Sequence, residues 1–114
     1  MTEIKNIYKE MDLLIEQIDG EDALEEVKAE YIPFEHNTTS LLESNDLESF
    51  LSKYGEICTE DIAVLECFGS KDAEELSKYM TEKELSFDDL KIETARKSKE
   101  ALEFLIYEAE EDEF

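Results

Sequence analysis

Tryptophan is absent, histidine, arginine and proline each occur once, and glycine occurs three times. Each shortage excludes something. His36 alone cannot build a metal centre that needs two or more imidazoles. Gly20, Gly55 and Gly69 stand apart in turn contexts, so there is no glycine-rich loop to cradle a phosphate. The two cysteines, Cys58 and Cys67, lie nine positions apart, a spacing that matches neither a metal-binding nor a redox motif. They read as reduced residues of a core or its edge. No apolar run approaches the roughly 20 residues that cross a bilayer. Residues 1–5 lack the apolar run that follows the start of a secretion signal, so a cytoplasmic location is expected. Bases are scarce too, and Lys91, Arg96, Lys97 and Lys99 form their one cluster. Arg96 falls between Glu93 and Glu100 at helical pairing distance, so this cluster reads as local neutralisation and not as a phosphate-binding patch.

What the chain has in abundance is acid. Thirty-three Asp and Glu against 11 Lys and Arg give a formal net charge of -22 over 114 residues. Self-repulsion on that scale opposes folding. The hydrophobic content of 41% nevertheless suffices for one core. With so many carboxylates, any two can resemble an acid–base pair, so paired carboxylates carry no catalytic information. A Cys58–His36 pair has no supporting motif. Asp19-Gly20-Glu21-Asp22 lacks the twelve-residue ligand pattern of an EF-hand. No catalytic residue, metal ligand or cofactor is expected.

Hydrophobic spacing predicts helices. Ile4, Ile7, Tyr8, Met11, Leu14, Ile15 and Ile18 step by threes and fours over residues 3–18. Asp19-Gly20 stops that helix. A second is predicted over 21–31, with Ala23, Leu24, Val27 and Tyr31 inward and Pro33 ending it. Residues 32–44 read as irregular, pinned by Phe34, Leu41 and Leu42. Asn45 and Glu48 resemble a capping box before a helix that buries Leu47, Phe50, Leu51 and Tyr54 and closes at Gly55. Thr59 caps a nearly all-apolar run over 62–68, stopped by Gly69. Ser70 caps a helix to about residue 81, and Ser86 caps the last. The resulting fold is all-α, one domain of five or six helices with long first and last helices packed together. The alternative is α+β, with 27–34 and 62–68 forming a small hairpin or sheet, because periodicity cannot tell a buried helix from a buried strand in so apolar a run.

Residues 86–107 read as a core helix and 108–114 as an acidic end. Phe87, Leu90, Ala101 and Leu105 share one side, with Ala95, Leu102 and Ile106 on its flank. Asp89, Glu93, Glu100 and Glu103 oppose them. Glu108, Glu110, Glu111, Asp112 and Glu113 repel one another at the negative end of the helix dipole, so fraying from Glu108 is expected. These acids, with Tyr107, are the candidate partner-binding residues. Phe104 and Tyr107 are either interface anchors or core. Residues 86–114 hold ten acids against four bases, too thin a charge to imitate a duplex alone. Acids also line the solvent sides predicted for the earlier helices.

In composition and size the chain resembles the DNA-mimic inhibitors of phages and mobile elements, such as anti-restriction and anti-CRISPR proteins. That resemblance implies a stoichiometric inhibitor occupying the basic channel of a nucleic-acid-binding protein or nuclease; the lack of a free basic patch and of a membrane-length apolar run gives the further expectation of no direct binding of nucleic acid or membrane. The alternatives are an antitoxin- or immunity-type binder, or a regulatory subunit of a larger assembly, neither relying on nucleic-acid mimicry.

Overall fold

Period and capping chemistry both favour helix, and in a computed structural model, which describes residues 2–112, every regular element is a helix. The order is α1 Thr2–Glu16, α2 Glu21–Leu42, α3 Leu47–Glu60, α4 Ile62–Cys67, α5 Ala73–Glu82 and α6 Phe87–Asp112. The described residues include no strand, so the α+β alternative fails: residues 27–34 lie within α2 and residues 62–67 form α4.

The longest helices are α6, of 26 residues, and α2, of 22, whereas α1 has 15. The first helix is close to its expected length, and the second is about twice as long as expected. The cause is Pro33, which lies inside α2 instead of ending it. Proline removes the N–H that would bond the carbonyl of Ala29, at a cost of about 3 kcal/mol in a helix interior. Ala29 and Pro33 both face solvent, where water can serve that carbonyl. On the opposite face Ala23, Val27, Tyr31, Phe34, Thr38 and Leu41 stay buried at steps of three and four. Each large apolar side chain so buried contributes about 1.5–3 kcal/mol, and the face outweighs the missing bond.

The other boundaries follow from caps. Asp46, one residue past the predicted Asn45, caps α3 by accepting the Ser49 N–H at 2.8 Å, and this bond holds its carboxyl below the usual range. Asp61 and Asp72 cap α4 and α5 where Thr59 and Ser70 were expected. Gly55 does not close α3, which runs five residues further. Gly69 does stop α4: at φ 70° it permits Gly69 N–H to bond Glu66 O at 3.0 Å and Ser70 N–H to bond Leu65 O at 3.0 Å. Ser86 caps α6 as expected, with Asp89 N–H bonding its Oγ at 3.1 Å and its own N–H bonding Asp89 Oδ2 at 3.1 Å.

One core joins the six helices, with α6 packed on α1, α2 and α4, most extensively on α2. On α6 the buried residues are Leu90, Thr94, Ala95, Ser98, Leu102 and Ala109. Ser98 meets two polar groups of α2: its Oγ is 2.9 Å from the Tyr31 hydroxyl and 3.4 Å from Thr38 Oγ1. Thr94 Oγ1 donates to the Leu90 carbonyl at 2.8 Å. A bond such as Tyr31–Ser98 contributes about 1 kcal/mol net, but an orphaned partner would cost more, so it fixes the register of α2 on α6. Burial pushes the Tyr31 and Tyr54 phenols well above their ordinary range. Tyr54 donates to the Lys71 carbonyl at 2.5 Å and sets its ring edge-on to Phe68, which ties α3 to the α4–α5 turn.

Pro33→Ala restores one helix bond at an exposed site, removing a cost of about 3 kcal/mol. Proline also restricts the unfolded chain, which returns about 1 kcal/mol of that. Stability to urea is therefore expected to rise by about 2 kcal/mol. An unchanged or lower value contradicts the account of α2.

Candidate partner-binding surface

Helix periodicity sets Asp89, Glu93, Glu100 and Glu103 on one flank of α6, and α1 lies beside that flank. Glu3, Asn6, Ile7 and Glu10 of α1 line a groove of about 490 Å³ with Arg96, Lys99, Glu100 and Glu103. A second groove of about 530 Å³ continues it past Asp89, Ile92 and Glu93 to Leu85. Asp89 to Glu103 spans about 21 Å of helix, or one acid per about 7 Å, against 3.4 Å per phosphate along one DNA strand.

These acids are not equivalent. Asp89 is engaged in the Ser86 capping box. Glu93 pairs with Lys97 at 3.8 Å and Glu103 with Lys99 at 3.9 Å. Glu100 is exposed, has no ion-pair partner among the described residues, and lines both grooves. Arg96 does not bridge Glu93 and Glu100 as its sequence position suggests. It reaches across to Glu3 of α1 at 3.8 Å. Lys99 likewise reaches Glu10 at 2.6 Å, a hydrogen bond that holds its ammonium above the ordinary value. Two of the four bases on α6 thus clamp α1, and the acidic flank is partly neutralised across the helix pair. The sequence signal was available: Glu3 and Glu10 share one side of α1, and Arg96 and Lys99 one side of α6. What was missing was the docking of one helix on the other.

The distal residues fall differently. Helical backbone continues through the expected fraying point to Asp112, and Ala109 is buried. Tyr107 is 61% exposed and Phe104 59%, so neither is a core residue. Glu108 and Glu110 are exposed. The side chains of Glu111 and Asp112, and all of Glu113, lie outside the described residues.

A larger block of unneutralised charge sits on α2, where Glu21, Asp22, Glu25, Glu26 and Glu30 are exposed. None has an ion-pair partner among the described residues, and Lys28 is the one base within that stretch. The molecule measures 44 × 30 × 21 Å. A duplex of that length carries about 26 phosphates, comparable with the net charge of -22.

A third groove, of about 470 Å³, opens between α2, α4 and α6 and is mainly apolar. Phe34, Ala63, Cys67, Ala101, Phe104 and Leu105 line it. Burial pushes the Cys67 thiol up, so this part of the lining is uncharged at neutral pH. The spacing of residues 62–68 gave no warning of this groove, because α4 turns Ala63 outward and Val64 inward.

Among the described residues no group of three or more His, Cys, Asp or Glu could hold a metal ion. No helix among them is long and apolar enough to cross a membrane. No family model, no curated protein and no solved structure matches the chain.

Lys99→Gln is expected to lower stability by less than about 1 kcal/mol at low ionic strength, since exposed pairs contribute little. The deficit should shrink in concentrated salt as the freed Glu10 and Glu103 are screened. Thermal melts at two salt concentrations check this, and a deficit that grows with salt would contradict the clamp.

Proposed function

We propose that the protein is a stoichiometric inhibitor that binds a basic, nucleic-acid-binding partner and occupies the channel where that partner holds DNA or RNA. The observation that carries this reading is the net charge of -22 spread over a body 44 Å long, with α2 bearing five exposed carboxylates that pair with no base among the described residues. Such a body is steered onto a Lys- and Arg-lined groove and competes there with phosphate. Glu100, Glu108 and Glu110, exposed on α6, extend the acidic surface, and the five acids of α2 carry more of it than the α6 flank does. The reading assigns no reaction to the protein and puts it in the cytoplasm, with an anti-defence role of the anti-restriction or anti-CRISPR kind as its natural setting.

An immunity- or antitoxin-type binder is the second reading. The exposure of Phe104 and Tyr107 favours it, because large aromatics anchor interfaces that do not depend on total charge. Salt separates the two. Capture from a lysate of the cells that encode the protein, with stepwise salt elution and with excess duplex DNA as competitor, is the test. A mimic is expected to release a nucleic-acid-binding protein under both treatments, with affinity falling at least about a hundredfold over a fourfold rise in salt. A captured partner that resists salt and forms a ternary complex with DNA contradicts mimicry.

A further inference from the structure

The rim of the apolar groove between α2, α4 and α6 carries three acids and one base. Glu30, Glu66 and Glu100 stand on its rim, all exposed and none in an ion pair with a described residue. The one base on that rim, Lys97, is already engaged: it pairs with Glu93 at 3.8 Å and lies 5.7 Å from the centre of the Phe68 ring. Phe104 forms part of the lining yet leaves 59% of its surface in water.

Covering Phe104 together with the apolar surface beside it would be favourable. The groove volume of about 470 Å³ leaves room for one large apolar side chain. Charge decides the occupant. A second copy of this chain would bring another 22 net negative charges to a rim that is already acidic. A segment in which a bulky apolar side chain is flanked by lysine or arginine satisfies both lining and rim.

We propose that this groove is an anchor site for a cationic amphipathic segment of the partner, taking one aromatic or long aliphatic side chain between Phe34, Ala63, Ala101 and Phe104 while its flanking bases meet Glu30, Glu66 and Glu100. The inference rests on the reading that the partner is a basic protein. It adds that recognition is not charge alone: the acidic surface steers, and the groove sets the register of docking.

Three probes test it: a short lysine-rich peptide with one central phenylalanine, its counterpart with alanine in that place, and oligolysine of equal charge. Fluorescence anisotropy at physiological salt gives each affinity. The phenylalanine peptide is expected to bind about tenfold more tightly than the alanine peptide, the effect of burying one aromatic ring. That preference should vanish in Phe104→Ala, which removes one wall, and in Ala63→Trp, which fills the groove from an exposed position. Oligolysine binding should be unchanged in both variants, and circular dichroism verifies that they fold. Equal affinity for the two peptides, or a preference that survives both variants, overturns the groove and leaves the basic-partner reading standing. Failure of all three probes to bind, even at low salt, overturns both.

Discussion

Mutual repulsion among 33 carboxylates is the constraint under which everything else in this molecule operates. The fold meets it by keeping charge off the seams. Where α2 lies on α6 the contact is apolar or neutral-polar: Val27, Tyr31, Phe34, Thr38 and Leu41 on one helix, and Leu90, Thr94, Ala95, Ser98 and Leu102 on the other, are all buried. Hydroxyl groups supply the directional bonds of this seam, and they carry no charge to repel the acids outside. Tyr8 shares that character. Its hydroxyl is enclosed beside Thr39 without a bond of good geometry, and burial raises its pKa.

Bases are then placed where they do the most for assembly. Of the few available, Arg96 and Lys99 join α6 to α1, and Lys97 holds Glu93 near the packed surface. Exposed pairs are individually weak. Their value here is positional, since they prevent like charges of α1 and α6 from meeting unscreened across the groove. The outer face of α2 receives no such treatment. The result is an asymmetry, with one acidic face braced and another without ion pairs among the described residues.

The helices were legible because their apolar periodicity is strong, and residues such as Ile7, Met11, Phe50, Leu76 and Met80 lie buried where spacing put them. Two things were not legible. Pro33 is a local signal, and it loses to a buried face that only tertiary packing reveals. On α6 the inward stripe drawn from apolar residues alone passes from Leu90 to Ala101 with only Ala95 on its flank between them, and it leaves out the buried Thr94 and Ser98. Counted inward they complete the three-and-four spacing. Caps slipped by one or two residues wherever two competent groups were close, as with Asn45 and Asp46, or Thr59 and Asp61. As for the surface, the acids on each helix could be found from sequence, but not which were braced. Neither could the apolar groove, whose lining comes from three helices far apart in the chain.

The central claim is that the excess charge is a load carried by the fold and not part of what holds it together. The most direct test is the melting temperature of the isolated protein between about 0.02 M and about 0.5 M sodium chloride, where the screening length falls from about 20 Å to about 4 Å. If repulsion among bare carboxylates dominates, the melting temperature should rise by about 5 °C or more over that range. A melting temperature that stays flat or falls would mean that attractive pairs such as Lys99–Glu10 balance the repulsion, and the account of a charge-burdened surface would be wrong.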